Sequence, residues 1–324
     1  MKRYLFAVLF SFLCFFSNGQ QRWENIIGTP DKDDFPSGVS YTIDGGTIVY
    51  GTDEDFMFLY KTDRNGNVLW TKKYSCPAYN VSPSALEENQ DGKKVIVGSM
   101  GGDGWIMMLD ECGEELWCRT YDNMGDFWMV DFTDVLIEDT IILVTAFIQD
   151  YNGNWLGYLL GFDYSGNLYW DKPVASYELD SLIADPAIVY LQKVGNSYFI
   201  SGSCIYASQS HPNEFHGRYL FIKIDSLYNE EWLLPYGNQN YIGGDACGVI
   251  QIDSNEYRGY AAYCLGGHSY NSIFLDFDQN GNETRHKTIA DSVISPNITF
   301  NKLVSLYVIN DSTYSKYMTK IQRY

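Results

Sequence analysis

Residues 35 to 74 read Phe35-Pro-Ser-Gly-Val-Ser-Tyr-Thr-Ile-Asp44-Gly-Gly46-Thr-Ile-Val-Tyr-Gly51, and after a short break Phe56-Met-Phe-Leu-Tyr-Lys-Thr-Asp63-Arg-Asn-Gly66-Asn-Val-Leu-Trp70-Thr-Lys-Lys-Tyr74. Four short runs rich in β-branched and aromatic residues alternate with turn residues, which predicts four strands. Asp44-Gly45-Gly46 and Asn65-Gly66 are hairpin signals, because glycine supplies the positive φ that such tight turns require.

The pattern then repeats. An aspartate stands seven residues before a tryptophan at Asp63 and Trp70, Asp110 and Trp117, Asp163 and Trp170, and Asp225 and Trp232. A fifth copy keeps the turn Asp278-Gln-Asn-Gly-Asn282 but carries Arg285 where tryptophan is expected. Successive copies lie 47, 53, 62 and 53 residues apart, which is the size of one four-stranded blade. No long segment has apolar residues at helical spacing, so the chain reads as an all-β propeller. At the end, Asn301 to Tyr324 reads as three strands, and Tyr317-Met-Thr-Lys-Ile-Gln322 matches the third strand Phe58 to Asp63. Near the start, Arg22-Trp23-Glu-Asn-Ile-Ile-Gly28 resembles an outer strand such as Leu69 to Tyr74. Pairing these two ends gives six four-stranded blades, the last closed by the N-terminal strand, and leaves no open sheet edge.

Asp44-Gly45-Gly46 and Lys61-Thr-Asp63-Arg-Asn-Gly66-Asn-Val-Leu-Trp70 also carry a family likeness. On these residues the chain resembles the secreted β-propeller repeat proteins of Bacteroidota, related to the quinoprotein-like and delta-60-type repeats. The resemblance spans nearly the whole mature chain. It implies a fold and, because most such proteins have no assigned function, it implies no activity.

The first residues, Met1-Lys2-Arg3 followed by the apolar run Tyr4 to Phe16 and by Ser17-Asn18-Gly19, have the layout of a secretory signal peptide. Cleavage near Gly19 leaves residues 20–324 as a single domain, secreted or periplasmic. No later stretch is apolar enough to span a bilayer. Losing Lys2 and Arg3 moves the formal charge from −19 to −21, and so acidic a surface repels phosphate backbones and anionic lipid. Nucleic acid and an anionic membrane are therefore not expected as partners, and no membrane span is expected. Six cysteines remain after cleavage without a zinc-type spacing; export permits disulfides, and Cys247 with Cys264 is the pair expected to lie side by side.

The Asp-x-x-Gly turns are too short for calcium loops, and the repeated tryptophans suit packing between blades. No nucleophile, base and orienter can be linked, so no catalytic residue, cofactor or metal is assigned. Sialidase Asp-boxes place aspartate five residues before tryptophan, not seven. Long, uneven connections are expected at Gln149 to Gly157, Asp171 to Pro186, Tyr206 to Gly217, Pro235 to Ala246 and Leu265 to Asn271. Such loops on a rigid scaffold are where ligands bind. They carry the candidate ligand-binding residues Tyr151, Trp155, Tyr206, His211, His216, Tyr241, His268 and Tyr270. The chain is thus expected to be an exported, monomeric, non-catalytic binding module for a glycan or protein on its long-loop face. The alternatives are a carbohydrate-active enzyme using acids on that face and a structural subunit of a cell-surface assembly.

Overall fold

In the computed structural model the described residues are 34–53, 56–74, 81–121, 127–175, 183–208, 211–237, 242–265, 269–290, 301–310 and 313–320. They form strands and no helix. The first sheet holds β1 (Phe35–Tyr41), β2 (Thr47–Thr52), β3 (Met57–Thr62) and β4 (Val68–Tyr74). The second holds β5 (Val81–Glu88), β6 (Lys94–Met100), β7 (Asp103–Leu109) and β8 (Glu115–Tyr121), and the third β9 (Phe127–Ile137), β10 (Ile142–Asp150), β11 (Trp155–Phe162) and β12 (Leu168–Val174). The fourth holds β13 (Ile183–Val194), β14 (Ser197–Ser208), β15 (His211–Ile224) and β16 (Glu230–Tyr236). The fifth holds β17 (Ile242–Asp253), β18 (Glu256–Leu265), β19 (Ser269–Asp278) and β20 (Glu283–Ala290). In each, neighbours in sequence are neighbours in the sheet and run antiparallel.

The first strand of every later sheet packs against the first three strands of the sheet before it: β5 on β1 to β3, β9 on β5 to β7, β13 on β9 to β11, β17 on β13 to β15. First strands therefore adjoin one another along the series, and the sheets are blades stacked face to face. The apolar core lies between blades. Ile48, Leu59, Ile96 and Trp105 fill the first junction, and Val97, Ile106, Phe132 and Val144 the second. Leu143, Leu159, Ile200 and Leu220 fill the third, and Phe199, Phe221, Leu275 and Phe277 the fourth.

Five four-stranded blades are thus described. The segment from Asn301 read as three strands holds two among the described residues, β21 (Asn301–Asn310) and β22 (Thr313–Lys320). Since β21 lies against β17, it takes the place of a first strand. Tyr317 then falls in the second strand of this unit, not the third; a period-two pattern cannot tell the strands of one blade apart. The N-terminal strand at Trp23 lies outside the described residues.

The repeat motifs have physical roles. Lys61 Nζ lies 2.8 Å from both carboxylate oxygens of Asp44, tying the end of β3 to the Asp-Gly-Gly turn between β1 and β2. This contact holds the Asp44 carboxyl well below the usual carboxylate range. In the turn from β3 to β4, Asp63 Oδ1 accepts the N–H groups of Asn65 and Asn67 at 2.8 and 2.9 Å, and the Asn67 amide donates to Oδ2. Asp163 and Asp278 repeat the pattern. These carboxylates are engaged by their own turns.

The glycine of the turn meets the preceding blade's tryptophan. Gly113, Gly166 and Gly281 have φ of +78°, +81° and +80°. A Cβ on any of them would lie 2.9 Å from the indole of Trp70, Trp117 or Trp232 respectively. Trp117 Nε1 donates to Tyr164 O at 3.0 Å and Trp232 Nε1 to Gln279 O at 2.9 Å. Tyr74 and Tyr121, four residues beyond their tryptophans, donate to Gly113 O and Gly166 O. At the remaining junction Tyr228 stands in the glycine position with φ +62°, its ring stacked on Trp170 at 5.1 Å.

Candidate functional site

The connections expected to be long loops are for the most part strand. Gln149 to Gly157 is a hairpin: β10 and β11 meet in the turn Asp150-Tyr-Asn-Gly-Asn154, where Asp150 Oδ1 accepts the N–H groups of Asn152 and Asn154 at 2.8 Å. Tyr206 lies in β14, and His211 and His216 lie in β15. Leu265 ends β18 and Tyr270 begins the pairing of β19. The middle strands lengthen from 6 residues each in β2 and β3 to 12 and 14 in β14 and β15. What the sequence shows as excess loop is therefore built as longer hairpin, because main-chain N–H and C=O groups pair in a ladder at low cost.

These hairpins end on one edge of the molecule, opposite the turns that join the third strand of each blade to its fourth. In blade three Tyr151 is 62% exposed at the tip. Trp155 stands in register with Gln149, and its ring stacks on Phe147 at 4.1 Å and 9°. Alongside, β9 carries Trp128, 71% exposed and next to Met129, which is the partner of Gln149. Trp128 is absent from the residues chosen on sequence, since it belongs to a first strand and not a connection. Asp131, opposite Phe147 in β9, is pushed up by burial, against a hydrogen bond from Ser99, and its Oδ1 is buried with no partner among the described residues.

In blade four the register sets Tyr206 opposite His216 and Ser208 opposite His211. In blade five Tyr270 stands opposite Cys264. Tyr241 and His268 lie outside the described residues. Among the described residues no group of histidines, cysteines or acids could hold a metal. The expected Cys247–Cys264 pairing is not supported: Cys264 stands opposite Ile242, whereas Cys247 lies between the Ala246–Ala261 and Gly248–Tyr260 pairs. Three residues along a strand separate Cα atoms by about 10 Å, and a disulfide spans at most about 7 Å.

A second group of polar side chains lies on the first strands toward the opposite edge. Glu87 Oε2 accepts Ile137 N–H at 2.5 Å, Asp134 Oδ2 accepts Leu191 N–H at 2.7 Å, and Gln192 Oε1 accepts Val249 N–H at 2.8 Å. Each links one blade's first strand to the next. Burial first, and then the Asp134 and Glu138 charges, push Glu87 up to about 8 against the Ile137 hydrogen bond. Burial alone pushes Asp134 up to about 7. A pair of acids pushed up toward neutrality suits general acid–base work, but here each acid accepts a backbone amide of the next blade, and in the following blade Gln192 fills the role without an ionisable group.

No helix among the described residues is long and apolar enough to cross a membrane. No family model and no curated protein matches the chain. Among solved structures it is similar to a subtype N10 neuraminidase-like protein of A/little yellow-shouldered bat/Guatemala/060/2010, at 9% identity and TM-score 0.50, over 82% of this chain and 84% of that one. It also matches a protein of unknown function from Bacteroides caccae at 10% identity and TM-score 0.45, over 82% and 85%. A third match, of unknown function from Dyadobacter fermentans, has 11% identity and TM-score 0.42, over 77% and 96%. Identity so low speaks to architecture alone; the first of these likenesses, at TM-score 0.50, together with the blade stacking described above, makes this chain an all-β protein of β-propeller type.

Proposed function

We propose that the chain is an exported, non-catalytic binding propeller that takes its ligand at the hairpin edge of blade three. The observation that carries this reading is that one edge of blade three holds three large aromatic side chains: Trp128 and Tyr151 in solvent, and Trp155 stacked on Phe147. Large exposed rings have no role in the blade core and offer flat apolar faces with polar rims, the surface that sugar rings and aromatic-rich protein segments both use. Tyr206, His211, His216 and Tyr270 belong to the same edge by register, in blades four and five. Residues 20–324 form one exported monomeric domain in this proposal, with cleavage near Gly19 and a sixth blade built from both ends of the chain.

Asp131 favours a second reading, a carbohydrate-active enzyme. A half-buried carboxylic acid with one oxygen buried and unpartnered among the described residues, opposite Phe147, is suited to protonating a glycosidic oxygen. A glycan array probed with the mature chain, with Trp128→Ala/Tyr151→Ala and with Asp131→Asn separates the two. Binding by the mature chain that is lost in the double variant, at unchanged melting temperature, fits the binding module. Product release that stops with Asp131→Asn fits the enzyme. Ligand retention by the double variant would place the site elsewhere.

A further inference from the structure

We propose that Asn152, in the open hairpin turn of blade three, is a site of spontaneous covalent modification: it loses its side-chain amide and becomes aspartate or isoaspartate, while the fold protects the other Asn-Gly pairs in described turns. Those pairs are Asn65-Gly66 and Asn280-Gly281. Glycine after asparagine favours this loss, because it has no side chain to hinder the approach of its own main-chain nitrogen. Gly153 N gives up its proton and bonds to Asn152 Cγ. The Cγ–Nδ2 bond breaks, and the amide departs as ammonia carrying that proton. Water then opens the resulting cyclic imide at either carbonyl. One opening gives aspartate; the other gives isoaspartate, with the main chain rerouted through Cγ.

All three turns hold the attacking nitrogen in the same way. The N–H groups of Gly66, Gly153 and Gly281 donate to the carbonyl of the turn aspartate at 3.0, 3.0 and 3.1 Å, and those of Asn65, Asn152 and Asn280 donate to its Oδ1 at 2.8 Å. Reaction therefore waits on opening of the turn, and its rate follows the free energy of that local opening. The three turns differ in what opening must displace. Tyr151, Asn152, Gly153 and Asn154 are all exposed, and a Cβ on Gly153 would meet nothing within 4 Å among the described residues. The leaving amide is also loosely held, with Asn152 Nδ2 3.5 Å from Asp150 Oδ2. Gly66, by contrast, is buried. Gly281 lies beneath Trp232, whose indole donates to Gln279 O at 2.9 Å and packs edge-on against Phe277 at 5.4 Å. Opening the Asp278 turn must break that junction, whereas opening the Asp150 turn breaks only its own hydrogen bonds. The product places a negative charge next to Tyr151; its effect on a ligand rests on the binding edge proposed above, and the modification itself does not.

Incubating the intact chain in mildly alkaline buffer and mapping its peptides by mass spectrometry, with isoaspartate identified by fragmentation, follows all three pairs at once and needs no substitution. Asn152 should convert at least about tenfold faster than Asn65 and Asn280 in the folded chain, and the three rates should converge in concentrated urea because the local sequences are alike. Equal rates in the folded chain, or no conversion at Asn152 while it proceeds in urea, overturns the proposal. Trp232→Ala then tests the protection: conversion at Asn280 should rise toward that of Asn152, which keeps its own rate. No rise at Asn280, or an equal rise at both sites, shows that the cover over the turn does not set the rate and also overturns the assignment.

Discussion

Strand β11 of blade three is entered and left by the same turn. Asp150-Tyr-Asn-Gly-Asn154 precedes it and Asp163-Tyr-Ser-Gly-Asn167 follows it, each with aspartate Oδ1 accepting two backbone N–H groups and asparagine donating to Oδ2. Their glycines have φ of +88° and +81°. Yet a Cβ on Gly153 would meet nothing within 4 Å among the described residues, while one on Gly166 would strike the Trp117 ring at 2.9 Å. Tyr151 of the first turn points to solvent, and Tyr164 of the second donates its hydroxyl to Glu138 O while its own carbonyl receives Trp117. Identical local chemistry therefore serves two purposes. One turn is part of a junction, and the other is open surface available for a ligand.

That difference is best broken at the indole. Trp117→Ala removes the ring that covers Gly166 and its bond to Tyr164, and should cost about 3 kcal/mol by chemical denaturation. Arg285→Ala, at the matching place in blade five, should cost under about 1 kcal/mol because that side chain is 64% exposed and Asp276 keeps Arg258. Near-equal losses would mean that the tryptophans are not what locks the blades.

The two glycines give a direct internal contrast. Alanine at either pays the left-handed backbone penalty of about 1–2 kcal/mol. Gly166→Ala must in addition displace Trp117, so it should be the more destabilising by at least about 1 kcal/mol. If Gly153→Ala costs as much, the junction contributes nothing beyond backbone strain.

The inner rim of the same junction sharpens the comparison through pH. Burial raises Glu87 from 4.5 to about 8 in the fold, so the folded chain keeps a proton that the unfolded chain releases. The stability present below about pH 4.5 is consequently lost as pH rises through about 8, with Asp134 adding to the loss up to about 7. Denaturation midpoints should fall between pH 5 and 8.5, and Glu87→Gln, which reproduces the arrangement at Gln192, should flatten that fall. An unchanged slope would show that the carboxyl is not held neutral. The smallest effect is expected at the open turn, where Tyr151→Ala should leave stability within about 0.5 kcal/mol while weakening ligand binding.

Much of the junction was legible in the residues: the seven-residue spacing from aspartate to tryptophan marks turn and cap in one motif. The open turn at Asp150 was equally legible, since Asp150-Tyr-Asn-Gly-Asn154 repeats the pattern of Asp163 to Asn167, but without a tryptophan seven residues on it reads as loop. Trp128 was hidden for another reason. It sits in a first strand among Val130 and Phe132, which are buried, and nothing in local sequence tells an exposed ring at a strand end from a buried one.

The amino-acid sequence by itself determined the four-stranded blade, its turns and the places where blades join, because these follow from short-range conformational preference and a repeating spacing. Only the tertiary structure decided which turn is covered, which aromatic ring faces water and which carboxylic acids burial pushes up. Each depends on what a neighbouring blade, about fifty residues away in the chain, places against it, and burial of that kind leaves no mark in the local sequence.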